Sequence, residues 1–158
     1  EDVVHFVLGE GELRRAGYVA AASQDPENGS VALRARLHLH LHDGEDDAHE
    51  NLWRQSMADL AELPNVYMKL SMPWFARDGF NEDADKEAKI GAVVRELIEC
   101  FGVDRCMFAS NYPVDKFKGI SINYLYGKFL DWSADLAEDE RRALFHDTAI
   151  EAYGAFDA

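Results

Sequence analysis

Between residues 65 and 109 an apolar strand, an amphipathic helix and a second apolar strand follow one another with short joints, and that order leaves few folds open. The first strand is Asn65-Val-Tyr-Met-Lys-Leu-Ser71, entered after a helical run that stops at Pro64. Behind it, Ile90, Val93, Val94, Leu97, Ile98 and Phe101 recur at helical spacing, and Gly102 is placed to end that helix. The second strand opens the segment Arg105-Cys-Met-Phe-Ala-Ser-Asn-Tyr-Pro-Val-Asp115. Two strands joined through a helix make a right-handed βαβ unit, so the pattern predicts a parallel sheet. The second strand runs straight into a turn holding an amide, a phenol, a proline and a carboxylate. A buried strand that delivers polar groups at its C-terminal end is how an α/β barrel or a doubly wound sheet presents catalytic residues.

The flanks extend this reading. Ile122, Leu125, Tyr126, Phe129 and Trp132 predict a further helix from about Ser121 to Leu136. The tail from Glu138 to Tyr153 reads as one or two shorter helices, with Asp147 a candidate N-cap between them. Upstream, Val31-Ala-Leu-Arg-Ala-Arg-Leu-His-Leu-His-Leu-His42 alternates apolar and polar residues, the pattern of a strand with one wet face. A parallel barrel strand would be apolar on both faces. This strand is therefore expected at an edge or in an antiparallel pair with Gly17 to Ser23, through the turn around Pro26-Glu-Asn-Gly29. The division expected is a divergent N-terminal segment over 1–47 and a strand–helix region over 48–158.

Four phrases in order carry a resemblance: Trp53-Arg-Gln-Ser-Met57, Pro64-Asn-Val-Tyr-Met-Lys-Leu-Ser71, Asp104-Arg-Cys-Met-Phe-Ala-Ser-Asn-Tyr-Pro-Val-Asp115 and Leu144-Phe-His-Asp-Thr-Ala149. They resemble the C-terminal half of the amidohydrolase-related metal-dependent hydrolases, (β/α)8-barrel enzymes that include lactonases, decarboxylases and amide hydrolases. The resemblance implies an α/β fold equivalent to the last three strand–helix units of such a barrel. A complete barrel takes about 250 residues, and this chain has 158. An incomplete barrel exposes sheet edges and an apolar interior, so other protein chains that complete or cover it are expected partners.

A balance of 16 Lys+Arg against 30 Asp+Glu, net −14, argues against nucleic acid and anionic membrane surfaces as partners. No apolar stretch approaches the roughly 20 residues of a membrane span. Cys100 and Cys106 both sit among apolar residues without a spacing motif, which predicts buried thiols and a reducing compartment, cytoplasmic or organellar, the mitochondrion included. The first residue is Glu1, which suits a processed product or a piece of something longer.

Three groups of residues are candidates for chemistry. His38, His40 and His42 project from one face of the predicted strand, with successive Cβ atoms about 6.5–7 Å apart. Imidazoles so placed can share a transition metal, and Asp43, Glu45, Asp46 and Asp47 follow at once. The plainer reading is a solvated strand face and an acidic loop. The resemblance implies that the family's own His-x-His pair belongs to a strand not represented here. It also implies a metal-facing histidine at the end of the strand before the helix of Trp53, a place open to any of the three.

Asn111, Asp115 and Lys69 form the second group. By the resemblance, the position of Asn111 carries a metal-binding, proton-accepting Asp in much of the wider superfamily; a neutral amide is a weak ligand and no base. Asp115 is the carboxylate nearest to it in the turn. The plain role for Asn111 is to cap that turn. Lys69 stands inside an apolar strand, where a charge needs a partner or a pocket. The resemblance places a Lys-x-Ser-Gly phrase at this strand end, facing the mouth of the barrel; here Lys69 and Ser71 remain and Met72 replaces the glycine. Lastly, Trp74, Phe75 and Tyr112 suit either an aromatic wall or packing between loops, and His146 with Asp147 suits packing and capping better than a catalytic dyad.

No Gly-rich phosphate loop, Walker lysine, Cys-x-x-Cys pair or Gly-x-Ser-x-Gly elbow appears in the sequence. Two functions compete. One is a catalytically impaired half-barrel serving as an accessory subunit of a larger assembly, an expectation that Asn111 and Met72 favour. The alternative is the C-terminal half of an active hydrolase, with zinc or manganese activating water against a lactone, amide or related carbonyl.

Overall fold

The computed structural model describes residues 20–24, 31–35 and 47–153. The N-terminal hairpin forms as expected: β1 (Ala20–Gln24) runs antiparallel to β2 (Val31–Ala35), Ala20 facing Ala35 and Gln24 facing Val31. The histidine run lies outside the described residues, as do Gly17 to Val19.

Helix α1 (Asp47–Ala61) leads into β3 (Met68–Leu70). Its apolar face seats Trp53 and Met57 in the core. The joint at its end is closed from a distance. The Arg105 guanidinium donates to the carbonyls of Ala61 at 3.0 Å and Leu63 at 2.9 Å, satisfying acceptors that the end of the helix leaves open.

After β3 come the single turn α2 (Pro73–Ala76) and the long helix α3 (Ala84–Phe101). Asp83 caps α3 by accepting from the backbone N–H groups of Asp85 and Lys86. The stripe Ile90, Val93, Val94, Leu97, Ile98 and Phe101 is buried throughout, as its spacing predicts. At the far end Gly102 adopts φ +87 and donates to the Ile98 carbonyl at 2.9 Å. A 3-10 turn, Val103–Arg105, then delivers β4 (Cys106–Phe108).

β3 and β4 pair in parallel, Met68 with Cys106, Lys69 with Met107 and Leu70 with Phe108, and the Ala109 N–H extends the ladder to the Leu70 carbonyl. The predicted βαβ unit is present. Alternation gives this small sheet two unlike faces. Met68, Leu70, Cys106 and Phe108 lie in the main core with the helices, whereas Tyr67 and Met107 form a smaller cluster with Ala152. Lys69, two residues after Tyr67 and itself the register partner of Met107, belongs to the second face.

Helix α4 (Ile122–Trp132) is capped by the Ser121 hydroxyl, which accepts from the Tyr124 N–H. It buries Leu125 and Phe129, and the Phe129 ring stacks on Phe108 at 4.5 Å. Two expectations need correction here. Ile122 is exposed and lies off the buried stripe, and the helix stops at Trp132, four residues before Leu136. The buried Ser133 hydroxyl donates back to the Phe129 carbonyl at 2.7 Å, beside the Ser133 backbone N–H that bonds the same carbonyl at 3.2 Å.

The tail corrects a third. Residues 138–153 are one continuous helical run, α5 (Glu138–Arg142), a π turn (Ala143–Asp147) and α6 (Thr148–Tyr153), with no cap at Asp147. Leu144 and Thr148, four residues apart on this run, lie on one face and both point inward. Asp147 bonds backward, accepting from Arg142 Nε at 2.7 Å and facing His146 Nδ1 at 2.8 Å. The cysteines also differ from expectation: Cys106 is buried, but Cys100 is exposed because the last turn of α3 carries it off the apolar stripe. Both are free thiols, and burial pushes the Cys106 thiol far above its ordinary range.

Candidate functional site

Among the described residues, the polar groups that the sequence singles out on β3 and after β4 stand at the C-terminal ends of those strands. From β3 come Lys69, half-buried on the face away from the main core and already engaged within the fold, and Ser71, which is buried. Met72 follows with φ 57 and ψ 48, the only left-handed residue other than glycine among the described residues. The chain must swing there from a strand into α2, whose first residue, Pro73, suits the start of a helix. A left-handed backbone costs a side-chain-bearing residue roughly 1–2 kcal/mol. Burying a methionine side chain returns roughly 1.5–3 kcal/mol, and Met72 is buried. The position that the resemblance gives to glycine is thus one that glycine's backbone suits, and this chain holds it with buried apolar surface instead.

From β4 the chain passes Ala109, Ser110 and Asn111, crosses a cis Tyr112–Pro113 peptide and enters a 3-10 turn, Val114–Lys118. Asp115 organises this turn. It is only 1% exposed, yet both carboxylate oxygens are satisfied: Oδ1 accepts from the Trp74 indole N–H at 2.6 Å and Oδ2 from the Asn111 backbone N–H at 2.8 Å. The Asn111 carbonyl accepts in turn from the N–H groups of Val114 and Asp115, at 2.8 and 3.3 Å. The turn is therefore capped through the main chain of Asn111, whose half-buried side chain stands at the strand end. Lys118 places its Nζ 5.2 Å from the centre of the Trp74 ring and 3.1 Å from Asp78. So Trp74, expected as part of an aromatic wall or as filler, is the strut joining the loop after β3 to the loop after β4. The signal for it was an indole close behind one strand end and a carboxylate close behind the next, with nothing in the sequence to say that they meet.

The structure thus brings Asn111 and Asp115 together and sets Lys69 on the neighbouring strand. Tyr112 is exposed at the rim. His146 and Asp147 belong elsewhere. Their π turn lies against Val103–Arg105, at the entrance to β4, with the Thr148 hydroxyl donating to the Val103 carbonyl. The His146 side chain is 64% exposed, so it is neither packed nor a cap. Among the described residues no group of three or more His, Cys, Asp or Glu side chains could hold a metal ion. His38, His40 and His42 are outside them.

Comparison with known proteins bears on the family and the fold. An amidohydrolase family model, Amidohydro_2, matches residues 37–155. A protein of Sinorhizobium fredii, the uncharacterized protein y4mH, is 38% identical over 106 residues, covering 67% of this chain and 34% of its own length. The L-fucono-1,5-lactonase of Burkholderia ambifaria is 30% identical, over 64% of this chain and 34% of the lactonase. Crystal structures of an amidohydrolase from Burkholderia multivorans, one with bound HEPES and one with bound zinc, superpose with TM-scores of 0.63 and 0.62 at 29% identity. Each covers 70% of this chain and 39% of that protein. This chain spans about a third of the length of the curated relatives it matches.

Proposed function

This chain belongs to the amidohydrolase family, and from that membership we propose that it forms the last strand–helix units of a (β/α)8-barrel hydrolase and lines the mouth where a lactone or amide carbonyl is opened. The observation that carries the reading is the parallel β3–β4 pair, with Lys69, Ser71 and Asn111 at or near its C-terminal ends, where barrel enzymes keep their chemistry. The likeness to a lactonase supports a carbonyl substrate.

The residues divide by what their surroundings allow. Lys69 is a cation able to hold a substrate oxygen, and Asn111 offers a neutral amide that donates and accepts but takes no proton at neutral pH. Asp115 has both oxygens engaged inside the fold, so its part is positioning: it holds Asn111 and Trp74 in place. The described residues do not compose a metal centre. The family match begins at residue 37 and takes in His38, His40 and His42, alternating imidazoles whose chemistry suits zinc or manganese, and we assign ligation to that run. A bound divalent metal would supply a Lewis acid and an activated water. On this reading the remaining barrel strands, and the proton acceptor, lie beyond the described residues, in other chains or other segments.

A second reading, a half-barrel that has given up catalysis and serves as an accessory subunit, is favoured by the neutral Asn111. Elemental analysis of the purified protein, with hydrolysis of L-fucono-1,5-lactone followed by acid release, separates the two. The hydrolase reading expects about one zinc or manganese per chain, lost in His38→Ala, His40→Ala or His42→Ala, and turnover that falls at least about tenfold in Lys69→Ala with an unchanged circular dichroism spectrum. A metal-free protein embedded in a larger complex, inert toward lactones and amides, would overturn it and leave the accessory subunit.

A further inference from the structure

We propose that Trp74 is a positioning residue of this mouth: acting through Asp115 it fixes Asn111 at the end of β4, while Lys118, held by Asp78, steadies its ring. This rests on the hydrolase reading and adds to that site a residue that works through its neighbours.

Asn111 carries no charge, so the amide it offers acts only where it is aimed. Its main chain is held on both sides. The N–H donates to Asp115 Oδ2 at 2.8 Å, and the carbonyl accepts from the N–H groups of Val114 and Asp115. The first of these bonds depends on how the Asp115 carboxylate is turned. Rotation of a carboxylate about its last bond is soft, with no sharply preferred angle. A donor on one oxygen fixes the plane, and with it the direction of the other oxygen. For Asp115 that donor is the Trp74 indole N–H, 2.6 Å from Oδ1. Asp115 is buried, which leaves little room for water to do the same.

The indole is gripped from a second direction. Asp115 and Lys118 belong to one turn after β4, and Trp74 and Asp78 to the segment between β3 and α3. Each segment meets the other twice. Asp115 takes the edge of the indole, and Lys118 sets its Nζ 5.2 Å from the ring centre and 3.1 Å from Asp78. Two separate contacts fix an orientation, where one fixes only a distance. They are unequal, because the side chains of Lys118 and Asp78 are 42% and 77% exposed and such a pair is weak. The pair steadies the ring; the indole bond, ending on a buried carboxylate, sets the geometry. Packing alone would not require that bond, since a phenylalanine ring supplies apolar area without a donor.

The test follows the Asn111 backbone amide and the Trp74 indole N–H by NMR of nitrogen-labelled protein, beside hydrolysis of L-fucono-1,5-lactone. Trp74→Phe keeps a ring and removes the donor. It is expected to move the Asn111 amide resonance and to lower kcat about tenfold with KM within about twofold, because a misplaced group costs rate before affinity. Lys118→Met keeps an unbranched side chain and removes the charge; it should move both resonances less and lower kcat about twofold. Both variants are read well below their unfolding midpoints, where a loss of stability alone moves neither the Asn111 resonance nor kcat. An Asn111 amide that stays in place in Trp74→Phe overturns the proposal. So does an amide that moves while kcat holds. Should Trp74→Phe fail to fold, Lys118→Met carries the test, and unmoved Trp74 and Asn111 resonances in it overturn the proposal. The two readouts keep the inferences apart. Resonances that move together in the variants of a protein that opens no lactone sustain the tie and remove the hydrolase reading. Turnover that Trp74→Phe leaves intact removes the positioning role and sustains the hydrolase.

Discussion

Replacing Asp115 by alanine should cost far more than an ordinary loop substitution. The carboxylate is buried, and its loss would strip the partner from two donors at once, the Trp74 indole N–H and the Asn111 backbone N–H. A donor left unpaired in a buried place costs roughly 1–3 kcal/mol. Trp74 and Asn111 are each only half-buried, so water can partly replace the lost oxygen and the lower half of that range applies. The two together come to about 3 kcal/mol. For a chain of 158 residues that corresponds to a fall in Tm of about 6–12 °C. Urea unfolding followed by tryptophan fluorescence and by circular dichroism measures it. Trp74→Phe removes one of the two donors beforehand, so Asp115→Ala in that background should cost about 1–2 kcal/mol less than in the parent. Asp115→Asn keeps one acceptor and should fall in between. A loss below about 0.5 kcal/mol for Asp115→Ala, the size of a neutral surface change, would refute the reasoning. Strict additivity with Trp74→Phe would refute the shared hydrogen bond in particular.

Three further outcomes follow from the same geometry. Met72→Gly should be more stable than Met72→Ala by about 1 kcal/mol, reversing the usual order of the two residues, because both lose the buried side chain and only glycine sits without strain at φ 57; equal unfolding midpoints would show that the backbone there is relaxed. Gly91→Ala should destabilise by about 1–3 kcal/mol despite alanine's better helix propensity, since a Cβ would stand 2.7 Å from the Trp132 indole nitrogen and force α3 from α4, and a stabilised variant would contradict that packing. Burial, then the hydrogen bond to Glu151, pushes the Tyr67 phenol up to about 12 from its ordinary 10.0. A phenol raised on folding contributes stability that is complete below pH 10 and lost as pH climbs toward 12, so alkaline unfolding should be shallower in Tyr67→Phe, and tyrosinate absorbance should show one fewer late-titrating group.

Periodicity alone was enough for the frame. The stripe from Ile90 to Phe101, the glycine that ends it and the two apolar strands around it are local patterns, each written in residues a few positions apart, and a helix or strand is itself a local object. The alternation from Val31 pointed to an edge strand or an antiparallel pair for the same reason, and over 31–35 the strand pairs antiparallel, while the four phrases sufficed for the family. What only the tertiary structure decided depends on residues far apart in the chain. Asp115 looked like the charge nearest Asn111; folding sends it inward because Trp74, some forty residues earlier, brings it a donor. Cys100 follows the same helix as its buried neighbours and still faces solvent, since one residue of helical rotation moves a side chain about a quarter turn off the stripe. Asp147 reads as a cap, yet the helical run passes through it unbroken, with Leu144 buried in the core and the Thr148 hydroxyl bonded to the distant Val103 carbonyl. Met72 is the sharpest case: nothing in a methionine announces a left-handed backbone, and only the burial of its side chain beneath the strand end makes that conformation tolerable.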